Sequence, residues 1–169
     1  MQKSPPQKLH AGLRGLLEYT ALLIIAGIVT LAYMAAAPTT LGAIPLLPAA
    51  ELVLVVWLVA VLYGFFARKP WVWAASLVCF SFVLVYSLVL HYYLLQFQLV
   101  PFELFLLLSL FSFLMNGTVL WYVFQKKIYF TNPYYTDHFG VADRLFVNIL
   151  LCLLVLLLAI SITVLKLFK

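Results

Sequence analysis

Apolar residues in this chain form long uninterrupted runs, separated by short stretches that contain proline, glycine, amide or charged side chains. A helix that rises about 1.5 Å per residue needs roughly 20 apolar residues to cross about 30 Å of hydrocarbon. Five runs reach that length, at residues 16–37, 49–67, 71–95, 102–124 and 145–165. The pattern predicts an all-α integral membrane protein: a single transmembrane domain over residues 1–169, built as a bundle of five transmembrane helices.

The breaks between the runs support this division. The first and second runs are separated by PTTLGAIPLLP, whose three prolines and one glycine interrupt a helix. Hydrocarbon offers no hydrogen-bond partner to the backbone, so each run is expected to be helical. Runs such as LLCLLVLLLAI show no alternation of period two, which argues against a β-barrel.

One sizeable polar segment, QKKIYFTNPYYTDHFGVADR, occupies residues 125–144 between the fourth and fifth runs. Its many aromatic residues predict a cytoplasmic loop that lies in the headgroup layer. The same loop is a candidate docking surface for a protein partner, because tyrosine and polar side chains are frequent in such contacts. The docking candidates are Tyr134, Tyr135, Asp137 and His138. Anchoring at the interface without a partner is the alternative, and Asp137 with His138 supplies only two potential metal ligands.

The positions of basic residues predict the orientation. With the N-terminus in the cytoplasm and the C-terminus outside, eight of the ten lysines and arginines lie on the cytoplasmic side, as the positive-inside rule favours. These eight are Lys3, Lys8, Arg14, Arg68, Lys69, Lys126, Lys127 and Arg144. The fifth run is the weakest part of this topology, since a C-terminal helix followed by two lysines could also be re-entrant or lie on the surface.

Composition excludes a soluble protein. The chain is 67% hydrophobic and 9% charged, and so few charges cannot cover the surface of a water-soluble domain. The net charge of +5 is explained by membrane topology and anionic headgroups, and we expect no nucleic-acid partner. The first run is longer than the core of a cleaved signal peptide, and no organellar targeting segment is recognisable. These features favour the plasma membrane of a prokaryote.

The chemistry available to the predicted spans is sparse. Glu51 and Glu103 lie near the outer starts of the second and fourth spans, and His91 lies near the outer end of the third. Two carboxylates and an imidazole at a similar depth could bind a divalent metal or relay a proton. The alternative is that each glutamate faces headgroup water in the first turn of its helix, while His91 belongs to an aromatic belt with its neighbouring tyrosines.

No catalytic motif is present. Neither GxSxG nor HExxH occurs, and both cysteines lie within apolar runs without CxxC spacing. His91 is the only histidine within a predicted span, which argues against a haem held by this chain alone. The sequence therefore favours a non-catalytic protein without a cofactor and leaves an enzyme or a cofactor-binding protein open as the alternative.

The stretch from Ala67 to Phe130 contains ARKPWVWAASLVCF at the start of one helix and LWYVFQKKIYF at the end of the next. It is similar to small polytopic membrane proteins of prokaryotes in which a basic-tryptophan cap and a terminal YxF recur. The similarity covers about a third of the chain, identifies no family and implies no activity.

Three functions remain as hypotheses. The first is a non-catalytic accessory or assembly subunit of a larger membrane complex, because a span region with so little charge has few groups to bind a polar substrate. The second is a small oligomeric transporter or channel, in which weakly polar faces line a shared path. The residues of those faces are Ser76, Ser87, Ser109, Ser112, Asn116 and Thr118. The third is a metal- or haem-associated redox subunit that uses His91 with Glu51 or Glu103.

Overall fold

The computed structural model of the chain describes residues 11–36, 44, 46–67, 69–131 and 140–167, with the side chains of residues 131, 154 and 156–167 outside that description. Within these ranges the regular structure is entirely helical, which confirms the predicted fold class at that level. The helices are α1 (Ala11–Ala36), α2 (Leu46–Phe66), α3 (Val72–Gln96), α4 (Phe102–Gln125), α5 (Lys127–Thr131) and α6 (Val141–Leu167).

Four of these helices are long and apolar enough to cross a membrane. They are α1, α2, α3 and α4, with 26, 21, 25 and 24 residues. Large apolar side chains on their outer faces are more than half exposed, as in Val29, Val56 and Leu110. An apolar outer surface of this kind is stable against lipid and unstable in water. The chain is therefore an integral membrane protein.

Three helices begin earlier than their apolar runs predict: α1, α2 and α6, the last of which starts at Val141 rather than at residue 145. Helix α1 starts at Ala11 and includes the exposed Arg14 and Glu18, whose Nε and Oε1 lie 2.7 Å apart across one helical turn. Helix α2 starts at Leu46 and has Pro48 in its first turn, where the missing amide hydrogen removes no helical hydrogen bond. Apolarity thus located the spans, but residues outside the apolar runs that are compatible with a helix, such as Arg14 in α1 and Pro48 in α2, extend them.

The long helices pack as a closed ring. The most extensive contacts are between α3 and α4 and between α1 and α2, and further contacts join α2 to α3, α4 to α6 and α1 to α6. Inside the ring, Tyr19 of α1 and Phe80 of α3 approach with ring centroids 6.2 Å apart. The contacts of α6 with both α4 and α1 make it the fifth wall of the bundle.

The short helix α5 folds back against the bundle. Its Tyr129 and Phe130 are buried, and the Phe130 ring lies 5.3 Å from the ring of Phe65 on α2. This part of the segment 125–144 is thus packed against the helix bundle. The predicted docking residues Tyr134, Tyr135, Asp137 and His138 lie outside the described residues.

Successive long helices run in opposite directions, so the start of one helix lies beside the end of another. Gly12 at the start of α1 lies beside Tyr122 near the end of α4 and Asp143 in the first turn of α6, while Gly64 near the end of α2 lies beside Val72 at the start of α3. All these helix ends are therefore at one end of the bundle, here called the basic end. Five described cationic residues lie there: Arg14, Lys69, Lys126, Lys127 and Arg144.

Candidate functional site

Glu51 lies inside the bundle, towards the end opposite the basic end. It shares one face of α2 with the buried residues Leu47, Leu54 and Leu58, at the spacing of successive helical turns. Its side chain is accordingly packed inward, and the residue is 4% exposed. The interpretation of Glu51 as a helix-start residue facing headgroup water is wrong, because the helix begins early enough to place Glu51 beyond its first turn.

A cavity of about 140 Å³ lies in front of Glu51, between α1, α2 and α3. It is here called the Glu51 cavity. The absence of a side chain at Gly27 on α1 keeps the carboxylate in place, since a Cβ there would lie 2.8 Å from Glu51 Oε1 and 2.5 Å from Val55 Cγ2. The apolar lining residues are Leu23, Leu54, Leu58, Val83 and Leu90, and the polar ones are Thr30, Glu51, Tyr86 and Ser87.

The hydroxyl groups of the Glu51 cavity already donate hydrogen bonds to backbone carbonyls, and the Tyr86 hydroxyl also shares a side-chain hydrogen bond with Glu51. Thr30 Oγ1 donates to Ala26 O at 2.9 Å, Ser87 Oγ donates to Leu84 O at 2.9 Å, and Tyr86 Oη donates to Leu47 O at 3.2 Å. Each hydroxyl has one hydrogen, so each presents mainly oxygen lone pairs to the cavity. Glu51 Oε2 is buried with no hydrogen-bond partner. The cavity is therefore lined by acceptors and apolar groups.

A line of hydrogen bonds leads from this cavity into the bundle. Ser112 Oγ of α4 donates to Ser87 Oγ of α3 at 3.0 Å. Asn116 Nδ2 donates to Ser112 O at 2.9 Å, and Tyr19 Oη of α1 donates to Asn116 Oδ1 at 2.9 Å. These four residues, Ser87, Ser112, Asn116 and Tyr19, are here called the polar seam. A polar group inside an apolar bundle is stable only when it is paired. Because the partners lie on α1, α3 and α4, the seam joins these three helices.

The other two candidate metal ligands have different surroundings. His91 is partly buried, with Nδ1 3.5 Å from Ser109 Oγ, and Glu103 is exposed in the first turn of α4, where a helix-start residue was expected. Among the described residues no three His, Cys, Asp or Glu side chains converge as metal ligands. The structure thus places Glu51 in a cavity without bringing His91 and Glu103 together with it.

A second polar centre lies at the basic end, around the buried Asp143. Its Oδ2 accepts hydrogen bonds from Lys126 Nζ at 2.8 Å and from the Gly140 amide at 3.0 Å, and its Oδ1 accepts one from Tyr122 Oη at 2.7 Å. The Phe146 ring stacks on the Tyr122 ring with centroids 4.0 Å apart. This group, here called the Asp143 hub, ties the end of α4 to the start of α6.

Electrostatics holds the hub carboxylate in its charged form. Asp143 precedes the apolar run at 145–165. Burial by itself would raise the pKa of Asp143, but the hydrogen bonds from Lys126, Tyr122 and Gly140, together with the charge of Lys126, hold that pKa below its usual value. The sequence carried a signal for part of this arrangement, because an acidic residue three positions after a helix-start glycine can bond back to its amide. The pairing with Lys126 had no such signal.

Comparisons with protein-family models, with curated proteins and with solved structures give no significant match to this chain. The functional argument therefore rests on the chemistry of the Glu51 cavity and of the surface around it.

Proposed function

We propose that this protein is a small membrane transporter whose solute binds in the Glu51 cavity. The observation that carries the proposal is the unpaired Oε2 of Glu51, buried beside a cavity of about 140 Å³. A buried polar group without a partner costs about 1–3 kcal/mol, and more when it is charged. Such a cost is retained where the group has a ligand to bind, and an ionisable residue within a span marks a functional site more often than a structural one.

The position of the cavity suits a carrier. Glu51 follows the start of α2 by about 8 Å along the helix axis, given a rise of about 1.5 Å per residue. The carboxylate thus lies more than one helical turn inward from the start of α2. The polar seam extends further inward from Ser87, which lines the cavity. Such a partly polar route is what the transporter hypothesis requires.

The proposal includes the full topology. α6 has a backbone of 27 helical residues and closes the ring between α4 and α1, which supports a fifth crossing. The collection of Arg14, Lys69, Lys126, Lys127 and Arg144 at one end supports a cytoplasmic N-terminus and an outer C-terminus. On this topology the Glu51 cavity lies towards the outside of a prokaryotic plasma membrane.

Ligand binding is tested first with purified protein in lipid nanodiscs. Small amines, alcohols and carboxylates of comparable size are screened by the shift they cause in thermal unfolding. We expect at least one class to stabilise the native protein and to lose this effect in Thr30→Leu, which fills the cavity. Ser81→Leu on the exposed face of α3 is the control. If every class leaves the native protein unchanged, or if Thr30→Leu responds as the native protein does, the proposal fails.

Transport is then tested with the stabilising compound. Liposomes that contain the native protein are expected to accumulate the labelled compound by exchange against an internal pool, and liposomes with Thr30→Leu are not. Binding without exchange would overturn the transporter proposal, while leaving a ligand-binding membrane protein.

The accessory or assembly subunit is the second candidate, and a groove between α4 and α6 favours it. This groove has a volume of about 350 Å³, and its residues are Phe113, Leu114, Gly117, Thr118, Trp121, Leu145 and Ile149. A Cβ at Gly117 would meet nothing within 4 Å. Bare glycine in a membrane-exposed groove lets another helix approach closely. The occupant under this hypothesis is a transmembrane helix of a different subunit.

Native purification separates the two candidates. Under the accessory hypothesis, gentle extraction followed by mass spectrometry yields a stoichiometric membrane partner, and Gly117→Leu releases that partner without unfolding the chain. Under the transporter hypothesis, the chain is recovered alone or as a homo-oligomer and binds its solute in that form.

A further inference from the structure

We infer that the solute of the Glu51 cavity is a primary ammonium ion with a short apolar body. This inference rests on the proposed function, since it names the chemical class that the same cavity binds. It follows from three properties of the cavity: its hydrogen-bonding groups, its charge and its walls.

The hydrogen-bonding groups select a donor. Thr30 and Ser87 already direct their hydroxyl hydrogens to the carbonyls of Ala26 and Leu84, and the single hydroxyl hydrogen of Tyr86 is shared between Leu47 O and the Glu51 carboxylate. Glu51 adds an oxygen with no partner. An alkylammonium group has three N–H donors and no acceptor, so it complements this set, whereas a carboxylate or phosphate would face only lone pairs.

The charge selects a cation. A carboxylate out of water must be neutralised by a proton or paired with a positive group. The lysines and arginines whose side chains the structure describes lie at the basic end, away from Glu51. A cationic solute supplies a positive charge beside Glu51, and a proton takes its place when the cavity is empty.

The walls select an organic ion over a metal ion. Five of the lining residues are leucine or valine, at positions 23, 54, 58, 83 and 90. Ca²⁺ and Mg²⁺ require about six or more oxygen ligands, which a wall of this kind does not offer. An apolar body gains about 0.8 kcal/mol for each CH₂ group it removes from water. A cavity of about 140 Å³ has room for an alkyl chain or a single ring.

The test compares matched probes with the full-length protein in nanodiscs. The cationic probe is n-pentylammonium, its neutral counterpart is pentan-1-ol, its anionic counterpart is pentanoate, and sodium chloride tests for a bare metal ion. Binding is measured by calorimetry, and the thermal stability of each ligand-free variant is recorded. We expect n-pentylammonium to bind more tightly than either counterpart at equal concentration. Sodium should produce no saturable effect.

Two substitutions locate the ammonium group. Glu51→Gln keeps the size of the side chain and removes its charge, and we expect n-pentylammonium to bind about 10- to 100-fold more weakly. Thr30→Val removes one acceptor at nearly constant volume, with a loss of a few-fold. Glu103→Gln is the matched control, because Glu103 is an exposed carboxylate near the same end of the bundle, and its affinity should equal that of the native protein.

The possible failures are distinguishable. If pentan-1-ol or pentanoate binds as well as n-pentylammonium, or if Glu51→Gln binds it normally, the ammonium inference is overturned and ligand binding in the cavity stands. Saturable binding of sodium that Glu51→Gln abolishes would replace the organic ion with a metal ion. If no probe binds the native protein, and the broader screen also finds no ligand, the proposed function fails together with the inference.

Discussion

Lys126 and Asp143 form a buried ion pair: Nζ and Oδ2 lie 2.8 Å apart, and the side chains are 8% and 0% exposed. Lys126 follows the last residue of α4, and Asp143 is in the first turn of α6. Gly12 of α1 permits the close packing, since a Cβ there would lie 2.6 Å from Asp143 Oδ1. The ion pair thus joins the end of α4 to the start of α6 at the basic end, and α1 packs against it at Gly12.

Removal of the hub carboxylate should destabilise the bundle strongly. Asp143→Asn removes the negative charge that lies 2.8 Å from the buried Lys126 ammonium, and we expect the free energy of unfolding to fall by about 2–4 kcal/mol. Denaturation in mixed micelles measures this change. The matched control is Glu18→Gln, which breaks the exposed pair with Arg14 and should cost less than about 0.5 kcal/mol. Equal effects of the two substitutions would contradict a structural role for the hub.

The hub also predicts how stability changes with pH. Because the folded-state pKa of Asp143 is lowered, its contribution to stability is complete above the unfolded value of about 3.9 and is lost as the pH falls through the folded value. Thermal unfolding of the native protein and of Asp143→Asn is compared from pH 7 downwards. The difference between them should be constant to about pH 4 and shrink below it. A difference that shrinks between pH 7 and 5 would point to another titrating group.

Two glycines should respond to alanine in opposite ways. A Cβ at Gly27 would overlap Val55 Cγ2 at 2.5 Å, and Val55 has little freedom to move because it is β-branched. We expect Gly27→Ala to lower the free energy of unfolding by about 1–3 kcal/mol. Gly117→Ala meets no atom within 4 Å and should be neutral or stabilising by up to about 1 kcal/mol, since alanine favours a helix. A Gly27→Ala variant as stable as the native protein would show that Gly27 is not closely packed.

The polar seam should make a modest contribution. Tyr19→Phe removes the donor to Asn116 Oδ1 and keeps the ring, which packs near Phe80. Hydrogen bonds between helices in membranes average about 0.6 kcal/mol, with a maximum of about 1.7. A double-mutant cycle with Asn116→Ala should therefore give a coupling free energy within that range. A coupling free energy of zero would mean that the two residues contribute to the stability of the protein independently.

Cysteine labelling tests the proposed orientation. In a variant with Cys79 and Cys152 replaced by serine or alanine, Glu103→Cys should react with an impermeant maleimide on intact cells. Arg14→Cys, also exposed and at the opposite end, should react only after permeabilisation. A cysteine at position 169 should react from outside if the fifth helix crosses. The reverse pattern at positions 14 and 103 would invert the topology.

The positions of the membrane helices were predictable because lipid imposes a simple rule. Any chain segment that crosses hydrocarbon must be apolar and helical over about 20 residues, and that requirement is visible in the sequence without knowledge of its neighbours. Helices α1 to α4 confirm this for the described part of the chain. Their ends were less predictable, because Arg14 and Pro48 lie outside the apolar runs and are nevertheless compatible with a helix.

The role of Glu51 could not be predicted in the same way. Its place near the start of a span favoured a helix-start residue that faces headgroup water, and Glu103 in a similar place is indeed exposed. What distinguishes Glu51 is which face of α2 meets α1 and α3, and that depends on the packing of all three helices. Likewise, Lys126 follows the end of α4 and Asp143 lies in the first turn of α6, so no local spacing joins them.

The sequence by itself determined that the chain enters the membrane, where the helices lie, and which ends collect positive charge, because these depend on each residue's own interaction with lipid and water. Tertiary structure alone decided that one glutamate lines a cavity, that Gly27 makes room for it, and that a buried ion pair closes the basic end. Those features depend on distances between helices, which the order of residues along one helix does not specify.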